Sequence, residues 1–357
     1  MELVIQRITL STGIVKNVQE SEVETLTVLL LDGRPVRTGA AIYTLNIGLD
    51  GEYEDTKADR RKERARTKDK LLIRPIILWM REIVMRVYHL NCGTMYAFGF
   101  PLKDNTGGLF KRGHGVIHCL LVDTGDGLAL VDTGWGTRDY VDPSLVVRQF
   151  ANLVGCPYNL DETAIRQVKA LGYDPTDVKH IFLTHMHLDH AGGLPDFPAA
   201  TVHILADELE ACLHPRSPME WYAYRPEHRA HSPKWQPHTL QGNQWFGLDC
   251  TPPIRVGGIE FVMIPFAGHT RGHCAVALRM DDRWLMHCGD AYTYYGQVAP
   301  VKLAFPSGRL IEIVAMTWFR VPKRHQARIR ELLQAHGDEV RAFCAHDAHE
   351  FELCAAR

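Results

Sequence analysis

The chain has 357 residues, 46% of them hydrophobic, and its 40 Lys plus Arg against 42 Asp plus Glu leave a formal charge of −2. A chain of that length and apolar content can bury a large core, whereas a nearly balanced charge supplies no global attraction to nucleic acid or to an anionic membrane. The expected partner is a small-molecule substrate, with neither nucleic acid nor membrane, and a homodimer is the assembly that base rates favour.

The nine cysteines are scattered from Cys92 to Cys354 with no Cys-x-x-Cys pair. That usage suits a reducing compartment better than a disulfide framework. Residues 1–7, MELVIQR, show no basic segment leading into an apolar run and a small-residue cleavage site, so no secretory signal is visible. The greasiest stretch, residues 71–90, carries Arg74, Arg81 and Arg86, too many charges for a membrane span. A cytoplasmic location is expected.

In chain order, two apolar β-prone runs come first, residues 23–31 and 40–47, each followed by an Asp-Gly turn signal at Asp32-Gly33 and Asp50-Gly51. Residues 54–70, EDTKADRRKERARTKDK, are almost all charged or small with both signs interleaved, and read as a solvated helix or linker. The predicted division is an N-terminal extension over 1–84, containing a small β element of unknown role, and a catalytic domain over 85–357. The second opens on a strand-like run, MRVYHLNCGTM.

From residue 116 strands and helices alternate. Strands are predicted over 116–122 and, second, as a run ending in Leu130-Val131-Asp132-Thr133-Gly134, then a helix over 143–153. A further helix starts at Asp161 as N-cap, carries Ile165, Val168 and Leu171 at helical spacing, and stops at Gly172. A strand over 180–184 delivers the run His185-Met186-His187-Leu188-Asp189-His190. A strand over 201–205, a hairpin at Gly257-Gly258, a strand pair flanking Asp281-Asp282, a helix over 323–336 and a strand over 340–345 complete the set. Hairpins and βα units together predict a mixed α/β sheet covered by helices.

Along an extended chain a histidine and its second neighbour point to the same side, so His185 and His187 can hold one cation together. Asp189 and His190 come where the chain turns at Ala191-Gly192-Gly193 and can face a second cation. With 19 His in the chain, this pattern would arise by chance in roughly three chains per thousand. Further ligands are expected at later strand ends: His269 in FAGHTRGH, Asp290 in HCGDAY and His346 in FCAHD. Asp290 can bridge two ions, leaving His185, His187 and His269 for one and Asp189, His190 and His346 for the other. Two zinc ions are expected, with manganese, iron or cobalt accepted by the same donors.

The motifs THMHLDHAGG, GHTRGH, HCGDA and LVDTG together resemble, in order, those of the metallo-β-lactamase-like hydrolases, over roughly residues 85–357. The resemblance implies a four-layer αβ/βα sandwich, here with the small N-terminal β-containing extension, and it implies that Asp132 orients a ligand. Within the superfamily, Asp290 and the His346-Asp347 pair look most like the N-acyl-homoserine lactonases. Glyoxalase II-like thioester hydrolases share two motifs but carry a longer C-terminal region than the eleven residues after His346. An iron-dependent oxidase or sulfur dioxygenase is the alternative outside hydrolysis.

The expected chemistry is attack on a lactone or ester carbonyl by a water that two cations ionise near neutral pH. A tyrosine donor is expected to stabilise the oxyanion, and Asp189 to pass a proton to the leaving alkoxide. The resemblance places that tyrosine three residues after the bridging aspartate, where this chain has Thr293, so Tyr292 and Tyr294 stand as substitutes. His273 is expected to support its loop. His114, His118, His180 and His203 are expected to be isolated structural histidines. The aromatic segment 212–248 is expected as an insertion over the cleft, suited to an acyl chain or hydrophobic ring, or as a surface loop or dimer contact.

Overall fold

Apolar residues alternate between two buried faces along the central strands, and that alternation sets the layers. The computed structural model describes residues 24–29, 42–47, 53–54, 86–98, 110–280, 282–299 and 323–356. The chain divides into two compact units, Met1–Leu78 and Trp79–Arg357. In the first, β1 (Glu24–Leu29), β2 (Ile42–Ile47) and β3 (Tyr53–Glu54) form an antiparallel sheet with Glu24 opposite Ile47 and Leu29 opposite Ile42. Both β-prone runs thus contain strands. The two Asp-Gly turns, the charged run beyond residue 54 and the boundary expected near residue 84 lie outside the described residues.

The second unit begins with β4 (Arg86–Asn91) and a hairpin of β5 (Met95–Phe98) and β6 (Arg112–Gly115). Strand β4 pairs with β7 (His118–Asp123), which continues into β8 (Leu128–Val131), β9 (Val178–Phe182), β10 (Thr201–Leu205) and β11 (Lys234–His238). These make a six-stranded sheet ordered β11-β10-β9-β8-β7-β4, parallel from β8 to β11 and antiparallel at β7 and β4. A short hairpin, β12 (Asn243–Trp245) and β13 (Leu248–Cys250), precedes the second large sheet. That sheet runs β14 (Ile254–Val256), β15 (Ile259–Pro265), β16 (Cys274–Arg279), β17 (Trp284–His287) and β18 (Val340–Phe343), antiparallel except for the parallel pair β17-β18.

The period of two assigns the side chains. On β7, Cys119 and Leu121 join one core while Leu120 and Val122 join another, and β8 splits Leu128 and Leu130 from Ala129 and Val131 in the same way. On the second sheet, Phe261 and Met263 meet Leu120, Val122 and Phe182 in the shared core, whereas Val262 and Ile264 face an outer one. Helices α1 (Thr137–Val141), α2 (Leu145–Leu153) and α3 (Ala164–Ala170) lie on the first sheet's side, where Val147, Ala151, Ala164 and Val168 enter its outer core. Ile329 and Leu332 of a helix over Lys323–His336 enter the outer core of the second. Helix, sheet, sheet, helix is the four-layer α/β sandwich the motifs implied.

Two expectations are corrected. The helix expected from Asp161 begins at Ala164, and Asp161 lies in a single 3-10 turn, Leu160–Glu162, capped by the Asn159 side chain. The Glu162 carboxylate accepts from Thr94 N (2.6 Å) and Thr94 Oγ1 (2.9 Å), which ties this turn to the strand region before the helix can start. The segment 212–248, expected as an insertion over the cleft or alternatively as a surface loop or dimer contact, is not a loop throughout: it holds a helix over Pro218–Ala223, a 3-10 turn over Pro226–Arg229, then β11, the edge strand of the first sheet, and β12. Pro237 within KWQPH suits that outermost position, because an edge strand has no second neighbour to receive its missing N–H.

Candidate metal centre

The residues of interest leave the ends of strands. After β9 the chain stays extended through His187, whose φ of −64° and ψ of 156° are still β-like, and then makes one helical turn, α4 (Leu188–Ala191). The extended part carries His185 and His187, and the turn carries Asp189 and His190. His269 lies in the connection from β15 to β16, Asp290 just beyond β17, and His346 just beyond β18.

The structure brings all seven together. Donor atoms fall into three overlapping sets, each within 4.8 Å: His185, His187 and His269; His185, His190 and Asp290; Asp189, His190 and His346. The middle set shares a member with each of the others, and Asp290 stands at the junction. Its Oδ2 is 3.1 Å from His269 Nε2, and its Oδ1 is 3.3 Å from His190 Nε2 and 3.2 Å from His346 Nε2. Asp189 Oδ2 is 3.6 Å from His346 Nε2, and His269 Nε2 is 3.0 Å from His187 Nδ1.

Outer nitrogens are held by partners that only accept. His190 Nδ1 lies 2.9 Å from Asp132 Oδ2, and His346 Nδ1 lies 2.9 Å from Val116 O. Each imidazole therefore keeps Nε2 for the cluster. His185 Nδ1 lies 3.0 Å from Thr184 Oγ1, while its Nε2 is fully buried with no hydrogen-bond partner. Asp290 Oδ1 is likewise buried without a bond of proper geometry. Orphaned buried polar atoms of this kind are costly, and a cation satisfies both at once. The donor set of imidazoles and carboxylates fits zinc, manganese, iron or cobalt.

Electrostatics agree with that fit. Burial lowers His185 and His187 well below the usual histidine value, with neighbouring imidazoles adding to the effect. Burial also opposes charge on His190 and His346, but Asp290 and Asp189 outweigh it, joined at His190 by Asp132, and raise both. Burial would raise Asp290, yet His346, His190 and His269 hold it well below the carboxylate range. The carboxylates thus demand positive charge, which either protons or metal cations can supply.

Other sequence-expected residues fall in different places. Tyr292 is fully buried, and its hydroxyl donates to Glu350 Oε1 at 3.0 Å. Tyr294 is buried with its ring 4.7 Å from that of Tyr295. His273 is buried and accepts from Asp290 N at 2.9 Å, with burial and His269 lowering it to about 3; the loop it braces is the one that carries Asp290, not its own as expected. His180 and His203 are not isolated: they form one chain with His238, and His118 pairs with His89.

One contributor went unseen in the sequence: Glu208, which carries a buried carboxylate beside the centre and had no local signal. Tyr224, from the aromatic segment expected near the cleft, places its ring 5.8 Å from that of His187. Asp347, singled out beside His346, caps the final helix and accepts from Tyr295 N at 2.7 Å.

The family model of the metallo-beta-lactamase superfamily matches residues 112–302. A probable metallo-hydrolase of Mycobacterium bovis is 40% identical over 270 residues, 75% of this chain and 82% of the relative, and its Mycobacterium tuberculosis counterpart gives the same figures. The N-acyl homoserine lactonase AttM of Rhizobium radiobacter is 28% identical over 202 residues, 56% of this chain and 72% of the relative. A solved N-acyl homoserine lactone hydrolase, with the product N-hexanoyl-L-homoserine at its catalytic metal centre, superposes with a TM-score of 0.54 at 20% identity, covering 76% of this chain and 96% of that one. At that identity the likeness is one of fold.

Proposed function

Because the chain belongs to the metallo-beta-lactamase superfamily and is a metal-dependent hydrolase of it, we propose that it holds two divalent cations and opens a lactone or cleaves a related ester. The observation that carries this reading is that the middle donor set shares His185 with one triad and His190 with the other, while the Asp290 carboxylate lies 3.1–3.3 Å from His269, His190 and His346. His185, His187 and His269 would hold one ion, Asp189, His190 and His346 the other, and Asp290 both. Divalent cations so placed supply Lewis acidity, which polarises a carbonyl and makes water available as a nucleophile near neutral pH.

The chain's own residues supply the rest. Asp189 reaches the cluster from the one-turn helix and would take the proton released by the attacking water and pass it to the departing alkoxide. In this reading the oxyanion donor is Tyr294, four residues after Asp290; Tyr292 donates its hydroxyl to Glu350. The aromatic side chains Trp221, Tyr222 and Tyr224 belong to the segment before β11, and Tyr224 borders His187, which suits an apolar acyl group. The lactonase relatives named above support a lactone ahead of a thioester.

The test measures metal content and turnover of one preparation on lactones, simple esters and glutathione thioesters, with oxygen uptake on a persulfide recorded alongside. Close to two transition-metal ions per chain and fastest turnover of a lactone are expected, and Tyr294→Phe should lower kcat roughly ten- to hundred-fold. Less than one ion per chain with no activity after zinc or manganese addition rejects the dinuclear reading. Preference for a thioester, or oxygen consumption, rejects the lactone.

A further inference from the structure

The two histidine loops of the first triad come from different sheets, and a single buried carboxylate touches both. Glu208 lies in the first turn of α5 (Ala206–Leu213) and is wholly buried. Its Oε1 accepts from Met186 N at 2.8 Å, and its Oε2 accepts from Thr270 Oγ1 at 2.6 Å and from Gly272 N at 3.0 Å. Met186 is the residue between His185 and His187, Thr270 follows His269, and Gly272 precedes His273.

We infer that Glu208 is a positioning residue that sets the separation of His185 and His187 from His269, and so tunes one of the two cation sites selectively. The inference rests on the dinuclear reading given above. A carboxylate in this place is costly to bury unless it is hydrogen-bonded, and here three donors meet it. Two are backbone N–H groups, which cannot turn round to accept. Fixing both loops on one rigid fork removes the freedom of the histidines to drift apart.

The two histidines of the other triad are held by partners outside this fork. His190 is held through Asp132, and His346 through Val116 O. Loss of the Glu208 carboxylate should therefore separate the two sites. In Glu208→Gln the amide matches the shape but turns one acceptor into an NH2 group, which faces the N–H of either Met186 or Gly272. One loop is released whichever way the amide lies. Thr270→Val removes a single donor and leaves both backbone bonds.

The experiment titrates the metal-free full chain with Co2+, follows visible absorption and competition with a chelator, and records the melting temperature of each metal-free protein. His269→Ala and His346→Ala identify which binding step belongs to which triad. The expected result is that Glu208→Gln weakens the step marked by His269→Ala about tenfold or more and leaves the step marked by His346→Ala unchanged. Thr270→Val should weaken the same step by less, and it carries the test if Glu208→Gln does not fold. Two unchanged steps, or two steps weakened alike in proportion to a fall in melting temperature, overturn the inference. Wild-type protein that takes up fewer than two ions overturns the dinuclear reading itself, and this inference with it, before any variant is compared.

Discussion

Asp132 illustrates how much one side chain decides. It is buried, adopts a left-handed φ of 55°, and accepts from Thr184 N at 2.8 Å and Thr184 Oγ1 at 2.7 Å, with His190 Nδ1 2.9 Å away. Burial alone would raise its pKa, but His190 and Thr184 outweigh burial and hold it below the carboxylate range, so it acts only as an acceptor. That requires His190 to carry its proton on Nδ1 and to present a lone pair on Nε2. In Asp132→Asn the backbone is tolerated, since Asn enters the left-handed region more readily than most residues, but the amide NH2 can drive the imidazole to the opposite tautomer. Metal affinity and kcat should fall roughly ten- to hundred-fold with little change in the far-ultraviolet circular dichroism, and metal content after dialysis is the direct check.

At the level of elements, the centre is a set of strand ends that must stop and turn at fixed points. After β8 the chain turns at Gly134, with φ of 63°, where a Cβ would lie 2.2 Å from Cys92 Cβ and 2.5 Å from Cys92 O. The same turn bridges to Ala191 and accepts from Gly193 N at 3.1 Å, so it also backs the His187–Ala191 region. Helix α3, by contrast, ends at Gly172 with φ of 85° and open space around the Cβ position. Gly172→Ala therefore meets only the left-handed backbone penalty, about 1–2 kcal/mol. Gly134→Ala adds a collision with backbone and should cost more than about 3 kcal/mol. Urea unfolding of the two variants measures both, and equal costs would contradict the crowding seen at Gly134.

Across the whole molecule, imidazoles are buried between the sheets. His203 on β10 lies between His180 on β9 and His238 on β11, 2.9 Å from each, and stacks at 4.3 Å on Phe182, which stacks at 4.2 Å on Phe261 of the other sheet. Burial, then His238 and His180, lower His203 to about 3; burial, then Arg341 and His287, lower His89 to about 4. The unfolded chain takes up these protons near the ordinary value of about 6.5, whereas the folded chain refuses them until the pH nears its own lower values. Stability contributed by these groups is thus complete above about pH 6.5 and is lost as the pH falls toward 3–4. The melting temperature should drop across that window. His203→Phe keeps the aromatic stack and removes one titrating group, so its stability should fall less steeply, by up to about 1.4 kcal/mol per pH unit. Parallel slopes for the two proteins would rule out this assignment. Among the described residues no helix is long and apolar enough to cross a membrane.

Residues 185–190 were legible in the amino-acid sequence because six contiguous residues at a strand end can reach one point whatever the rest of the chain does. The same locality made β10 readable to the residue, and the helix over Lys323–His336 readable at its end, since period and breakers act over a few positions. It also misplaced the start of α3, where a contact between Glu162 and Thr94, 68 residues apart, prevailed over a good local cap. Only the tertiary structure decided that His269, Asp290 and His346 meet the first group within 4.8 Å, that Tyr292 is committed to Glu350, and that Glu208 ties two loops from different sheets. Those outcomes depend on how two twisted sheets stack and where their edges align, which is a property of long-range packing and leaves no periodic trace in the chain.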